Sequence, residues 1–277
     1  MLWVPQKGRL RCETNTASTG SSTIGTTVQT SGSSASIKGT AVQLIASTAF
    51  DAYFLRVIAS GYANSTIASQ GALDILIGSS PETVLIPDLL MGYCGGLGAF
   101  KGPKVWDFNI LIPAGSRLAA QAAGNRLSAS VRVGVYLYGG HGYPPFRVGS
   151  KVTTYGMTTV PNGTAITPGT SGAVGAFAEI TPSTTEDHFA MVPSFQVSAS
   201  TGVSLLNFTV EIGSGAATEE VVSPPFWYST DSTETMDGPY NPMPVFQDIP
   251  AGTRLAMRAS ASGTPNPNYN GVIHAIS

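Results

Sequence analysis

The sequence predicts an all-β protein that consists of two tandem, duplicated β-sandwich domains of a jelly-roll-like type, preceded by an extended N-terminal arm. An eight-residue segment near the middle of the chain recurs near its end. Short stretches alternate apolar and polar residues, as strands do when one face is buried. Charged residues make up 11% of the chain, against about 25% in typical soluble domains, while 32 Gly and 19 Pro favour turns over helices.

The internal repeat is the strongest of these signals. Residues 112–119 match residues 249–256 at seven of eight positions, with an offset of 249 − 112 = 137. Ser47-Thr48 and Asp51 recur at an offset of 136. Collinear matches at nearly constant spacing indicate that one structural unit was duplicated.

The repeated motif reads Ile-Pro-Ala-Gly-x-Arg-Leu-Ala, and it predicts a tight turn between two strands of each sandwich. Its structural positions are Ile112, Pro113, Gly115 and Arg117, and Ile249, Pro250, Gly252 and Arg254. Alternation is clearest at 206–212, where every second residue is apolar. About seven or eight strands per unit, at spacings of roughly ten residues, favour a sandwich or jelly roll.

The repeat sets the predicted domain boundaries. Residues 1–30 form an extended N-terminal arm, residues 31–140 the first sandwich and residues 164–277 the second. Residues 141–163, which begin with a Gly- and Pro-rich stretch, form a linker between them.

Residues typical of catalysis or metal binding are sparse. The three histidines (His141, His188 and His274) occupy unmatched repeat positions and lack metal-ligand spacing. The sequence therefore predicts no bound metal, no cofactor, no catalytic residues and no enzymatic activity. One enzymatic alternative, a polysaccharide depolymerase, would use Asp231, Glu234 and Asp237 in an acidic loop.

Charge and hydropathy narrow the possible partners. The net charge of −2 argues against nucleic acid as the main partner. No apolar stretch reaches the length of a membrane span of about 18 residues, and we expect no signal peptide. Cys12 and Cys94 do not form a metal-binding motif, and we expect free thiols.

Two groups of residues are candidates for contacts with other molecules. Trp3, with Lys7, Arg9 and Arg11, could anchor the arm to an assembly partner. A second, aromatic group could form a subunit interface or a platform on which sugars stack. Its members are Phe226, Trp227, Tyr228 and Tyr240.

Several segments resemble virion structural proteins of tailed bacteriophages. They are residues 39–47, 50–53, 74–78 and 82–87 and the two Ile-Pro-Ala-Gly-x-Arg-Leu-Ala motifs. The resemblance implies a non-enzymatic component, made in the host cytoplasm and located in the virion as a head decoration, collar, neck or fibre-anchoring protein. Its partners would be capsid, portal, neck or tail proteins and further copies of itself, with a trimer as one option. The alternative is a host-glycan-binding tail-fibre adhesin that uses the aromatic loops of the second repeat.

Overall fold

The computed structural model describes residues 11–15, 25–63, 69–94, 103–140, 147–197, 205–215, 218–230, 236–237, 243–265 and 269–277. The prediction of an all-β fold is confirmed, because these residues form four antiparallel sheets and contain no helix. The strands fall into two sets with the same order of pairing. We call the two resulting units sandwich 1 and sandwich 2.

The strands of sandwich 1 are β1 (Arg11–Thr14), β2 (Thr26–Gln29), β3 (Val42–Ile45), β4 (Ala52–Ala63), β5 (Ser69–Ile77), β6 (Thr83–Cys94), β7 (Lys104–Phe108), β8 (Leu118–Gly124) and β9 (Ser130–Gly139). Sheet 1A has the order β1-β9-β4-β7, with β2 also paired to β9, and sheet 1B has the order β3-β8-β5-β6. When β1 and β2 are counted as one interrupted strand, the eight strands follow the jelly-roll order 1-8-3-6 and 2-7-4-5.

The strands of sandwich 2 are β10 (Val152–Tyr155), β11 (Met157–Thr159), β12 (Asn162–Ile166), β13 (Ala178–Thr181), β14 (His188–Val197), β15 (Leu206–Ser214), β16 (Glu220–Val221), β17 (Phe226–Thr230), β18 (Met236–Asp237), β19 (Val245–Ile249), β20 (Leu255–Ala261) and β21 (Tyr269–Ile276). Sheet 2A has the order β11-β12-β21-β14-β19, with β10 on β21, and sheet 2B has the order β13-β20-β15-β17-β18, with β16 on β15. The eight jelly-roll strands therefore correspond between the two copies, and sandwich 2 has β11, β16 and β18 in addition.

Two predicted boundaries differ from the structure. The predicted arm over 1–30 contains β1 and β2, which both pair with β9 and so belong to sandwich 1. The predicted linker over 141–163 contains β10 and β11 and the start of β12, which belong to sheet 2A. Both segments are rich in Ser, Thr and Gly, because a strand at the rim of a sheet needs backbone pairing more than apolar side chains.

Each sandwich has its own core. In sandwich 1 the inward side chains include Leu55, Trp106 and Phe108, and in sandwich 2 they include Phe195 and Phe208. The core of sandwich 1 continues onto the outer face of sheet 2A, through residues such as Val192. The two sandwiches are therefore joined by an apolar contact.

Candidate functional site

The repeated turn of sandwich 1 is held by side chains that precede β4. Thr48 Oγ1 donates to the carbonyl of Pro113 at 2.7 Å and accepts from the backbone N–H of Ser116 at 3.0 Å. Asp51 Oδ1 accepts from the backbone N–H of Ala114 at 2.7 Å. These bonds fasten the turn after Pro113 to the β3–β4 connection.

Sandwich 2 repeats the same bonds. Thr184 Oγ1 donates to Pro250 O at 2.9 Å and accepts from Thr253 N at 3.1 Å. Asp187 Oδ1 accepts from Ala251 N at 2.7 Å. The sequence identity between the repeats is therefore concentrated where a shared backbone geometry needs particular side chains.

The glycine and arginine of the motif also have matching roles. Gly115 and Gly252 have φ values of +81° and +85°, a left-handed conformation that glycine adopts without strain. Arg117 forms an ion pair with Glu82, and Arg254 forms the equivalent pair with Glu219. The glycine and arginine positions of the motif thus have equivalent structural surroundings in the two repeats.

A buried chain of polar groups lies where sandwich 1 meets sandwich 2. Trp106 Nε1 lies 2.8 Å from Ser194 Oγ, and the same oxygen lies 2.8 Å from His274 Nε2. His274 Nδ1 lies 2.8 Å from Thr154 Oγ1, which donates to Pro87 O at 2.7 Å. This series of hydrogen bonds starts at Trp106 and ends at Pro87, both in sandwich 1, and its three middle residues belong to sandwich 2.

The donor and acceptor of every hydrogen bond in this series follow from its two end groups. The indole of Trp106 can only donate and the carbonyl of Pro87 can only accept. Thr154 therefore accepts from His274 Nδ1–H, and Ser194 donates to the lone pair on Nε2. A neutral imidazole satisfies every partner, and burial lowers the pKa of His274 to about 3.

This arrangement orients Ser194 and His274 as a nucleophile and a general base would be oriented, with the hydroxyl donating to Nε2. Thr154, however, occupies the place of the carboxylate that usually holds the second ring nitrogen. Ser194 is 1% exposed and His274 is fully buried. In this conformation the pair therefore joins the two sandwiches and has no contact with solvent.

A second set of polar contacts crosses the same boundary. Gln196 Oε1 accepts from Gly92 N at 2.9 Å, and its Nε2 donates to Pro161 O at 2.7 Å. The buried Lys104 ammonium lies 3.4 Å from the carbonyl oxygens of Leu90 and Phe195. Each sandwich therefore satisfies polar groups of the other.

His188, which the sequence places next to two carboxylates, is buried beneath the repeated corner of sandwich 2. Its Nε2 lies 2.9 Å from Tyr155 Oη, while its Nδ1 finds no hydrogen-bond partner among the described residues. Burial lowers the pKa of His188, although the nearby Glu186 opposes this shift.

The aromatic candidates of the second repeat separate into two groups. Phe226 and Tyr228 are each 1% exposed and pack in the core, so the prediction that they form an interface or a sugar platform is corrected. Trp227 lies between them on β17 and is 54% exposed, because successive side chains of a strand point to opposite faces. Tyr240 lies outside the described residues.

The N-terminal and acidic candidates are mostly outside the described part of the chain. Arg11 is exposed at the start of β1, whereas Trp3, Lys7 and Arg9 precede the described residues. Asp231 and Glu234 are likewise not described, and Asp237 is described only as part of the backbone of β18.

Within the described ranges, no three or more His, Cys, Asp or Glu side chains are grouped so that they could hold a metal ion. The same part of the chain contains no helix long and apolar enough to cross a membrane.

Sequence reasoning missed the residues that join the sandwiches. Ser194 and Gln196 alternate with apolar residues on β14, which in a single sandwich indicates a solvent-facing side. Nothing in that pattern shows that another domain covers the face. The one available signal was Trp106, an aromatic residue of repeat 1 that could fill such a contact.

No family model matches this chain, and no curated protein is similar to it. Among solved structures, PNGF-II aligns with a TM-score of 0.39 and 8% identity, covering 91% of this chain and 65% of its own. PNGase F, a glycosylasparaginase from Flavobacterium meningosepticum, aligns with a TM-score of 0.36 and 10% identity, covering 91% and 96%. An infectious bursal disease virus structure (Gx strain) has a TM-score of 0.21 and 13% identity, covering 98% and 72%. This chain thus spans less than two thirds of the length of PNGF-II.

The expectation that the chain is not an enzyme is contradicted by these comparisons, since the aligned structures include an asparagine amidase. That expectation is withdrawn. TM-scores of 0.34–0.39 with 8–10% identity assign neither a reaction nor a catalytic residue to this chain. The class of protein that the fold defines is a tandem jelly roll.

Proposed function

We propose that the chain is a structural component of a tailed-bacteriophage virion, located in the particle as a head decoration, collar, neck or fibre-anchoring protein. Jelly rolls are the architecture of many viral capsid domains and of lectins. The motifs of residues 39–47, 50–53 and 74–78, which resemble phage virion proteins, lie on strands of sandwich 1 and on the connections between them.

The observation that carries this proposal is the joining of the two sandwiches. Their contact combines an apolar core that continues from one sandwich to the other with buried polar groups that satisfy each other. Such a contact resembles an obligate interface more than a flexible domain boundary. A stiff unit of this kind suits a component that must hold a fixed position in a particle.

The outer surface fits the same role. Because only 11% of the residues in the whole chain are charged, covering its surface requires little desolvation of charge. Val84 and Val221 occupy the same register in the two repeats, opposite Leu76 and Gly213, and are 49% and 44% exposed. Both copies therefore present an apolar side chain at an equivalent surface position.

The test is incorporation into particles. We expect that deletion of residues 1–10 abolishes incorporation, because it removes Trp3, Lys7 and Arg9 but retains β1, which begins at Arg11. Mass spectrometry of purified particles measures the amount of protein, and thermal unfolding of the isolated chain checks that the sandwiches still fold. A full-length chain absent from particles, or a truncated chain present at the full-length amount, would refute the proposal.

A host-glycan-binding adhesin is the second candidate, and the exposed indole of Trp227 supports it. This candidate predicts saccharide binding on a glycan array that is lost in Trp227→Ala. Val174→Ala is the matched control, because Val174 is also 54% exposed and also lies on sandwich 2. The absence of any saccharide signal from the unmodified chain would eliminate this candidate.

A further inference from the structure

We propose that copies of this chain bind one another head to tail. An edge of sandwich 2 in one copy would dock on the outer face of sheet 1A in the next, just as sandwich 1 docks on sheet 2A within the chain. We call Trp227, Met243 and Val245 the docking edge, and Ile58, Gly134 and Tyr136 the receiving face. This inference goes beyond the proposed virion role and does not depend on it.

The model for the contact is the one already present inside the chain. There, β6 and β7 of sandwich 1 lie against β14 and β21 of sandwich 2. Three pairs of residues mark this contact. They are Leu90 with Val272, Trp106 with Ser194, and Phe108 with His274.

The docking edge is the counterpart of the residues that sandwich 1 uses. Leu90 pairs with Ala72, and Trp227 pairs with Thr209, so both pairs are related by 137 residues (227 − 90 and 209 − 72). Val245 opposes Met191 as Phe108 opposes Leu55. Met243 precedes Val245 by two residues, as Trp106 precedes Phe108.

These counterparts differ sharply in exposure. Leu90 is fully buried and Trp106 is 1% exposed, whereas Trp227 is 54% and Met243 is 56% exposed. Val245, like its counterpart Phe108, is buried, with 8% of its surface exposed. Exposed large apolar side chains often mark a contact with another molecule, and here two of them lie where the counterparts in sandwich 1 are covered.

The receiving face is the counterpart of the face that sandwich 1 covers. Ile58 pairs with Gly134 as Ser194 pairs with Val272, and Tyr136 opposes Arg56 as His274 opposes Val192. Strands β14 and β21 are buried on both faces. In β4 and β9, Ile58 and Tyr136 remain partly exposed on the outer face. Phe54 and Tyr138 extend this aromatic face, with ring centroids 5.8 Å apart.

Relative to their counterparts in the contact inside the chain, the docking edge and the receiving face differ in residue type in a matched way. Where Trp106 donates to Ser194 within the chain, Met243 would meet Ile58, so both members become apolar. Where Leu90 meets Val272, Trp227 would meet Gly134, so one side chain grows as the other shrinks. Where Phe108 meets His274, Val245 would meet Tyr136. Paired changes of this kind preserve the fit of a contact, which is why we name a second copy as the occupant.

A contact between two different surfaces is heterologous. Each copy of the chain carries one docking edge and one receiving face. When this contact is repeated from copy to copy, the copies form a closed ring if the rotations between them add up to a full turn, and otherwise they form a filament. Every added chain would continue an alternation of sandwich 1 and sandwich 2 that already exists inside the protomer.

The test is the size of the full-length chain in solution, measured by light scattering after gel filtration. At roughly 100 μM chain, a contact with a Kd near 1 μM is almost fully formed, and we expect assemblies larger than a monomer. An edge variant (Trp227→Glu with Met243→Glu) and a face variant (Ile58→Glu) should each be monomeric. Val174→Glu, a control with the same 54% exposure as Trp227, should assemble like the unmodified chain.

Mixing the two variants separates head-to-tail binding from other modes. The edge variant retains an intact face and the face variant retains an intact edge, so an equimolar mixture should form a complex of one copy of each. Circular dichroism confirms that each variant is folded. A monomeric unmodified chain, an edge variant that still assembles, or a mixture that stays monomeric would overturn the proposal.

Discussion

Replacement of Ser194 by alanine tests the buried chain that joins the sandwiches. The substitution removes one oxygen and adds no volume, so it introduces no clash. It leaves Trp106 Nε1–H without its acceptor and His274 Nε2 without its donor, both in fully buried surroundings. Each orphaned group costs about 1–3 kcal/mol, so we expect the free energy of unfolding to fall by roughly 2–6 kcal/mol.

Urea unfolding followed by circular dichroism measures this loss, and a double-mutant cycle identifies its source. In a Trp106→Phe background the indole donor is already absent, so Ser194→Ala should cost about 1–3 kcal/mol less than it does in the unmodified chain. A cost of Ser194→Ala within about 0.5 kcal/mol of zero, as for an ordinary surface substitution, would refute the reasoning. So would a cost that is the same in both backgrounds.

Three further predictions follow from the same structure. First, because the folded-state pKa of His274 lies at about 3 while the unfolded imidazole titrates near 6.5, the unfolded state binds a proton that the folded state does not. Stability is therefore complete above pH 6.5 and falls as the pH drops towards 3, by at most about 1.4 kcal/mol per pH unit for this group. His274→Gln should flatten the curve of unfolding free energy against pH, and an unchanged curve would contradict the assignment. Second, Thr48→Val and Thr184→Val each remove equivalent bonds at the repeated corner. Each substitution should lower the unfolding free energy by about 1–3 kcal/mol. In calorimetry the two losses should add, because the sites lie in different sandwiches. A loss from only one substitution would show that the corners are not equivalent. Third, Phe226→Ala should destabilise sandwich 2 by about 3–5 kcal/mol, whereas Trp227→Ala on the same strand should leave thermal unfolding nearly unchanged. Equal losses would contradict the alternation of burial along β17.

The all-β duplication could be predicted because the residues that reveal it are those that the backbone needs. Thr48, Asp51 and Gly115 recur as Thr184, Asp187 and Gly252, since each corner requires the same hydrogen bonds and the same left-handed residue. Strand content could be predicted from alternation for the same reason. These features depend on contacts that are local to one sandwich.

The misassigned boundaries have a different origin. Strands β1, β2 and β10 are short and pair at the rim of a sheet, so their polar composition is typical of loops. The sequence predicted loops for the aromatic group of the second repeat, yet Phe226 begins a strand in which only alternate side chains are exposed.

The contact between the sandwiches could not be predicted from one sequence. Ser194 and His274 are 80 residues apart, and Trp106 lies 88 residues from Ser194. Ser194 and His274 are of types that also occur on the solvent-facing side of a single sandwich. Only the packing of one repeat upon the other shows that this face is covered, and the comparison of the two repeats then identifies the surfaces that remain open.

Cysteine cross-linking tests most directly whether the contact inside the chain is repeated between chains. In a chain without its two native cysteines, Met243→Cys combined with Ile58→Cys should give a ladder of covalent multimers on oxidation, because each copy contributes one thiol to each of two neighbours. Val174→Cys combined with Ile58→Cys should give no such ladder. Monomers alone from the first pair, or equal ladders from both pairs, would contradict the account.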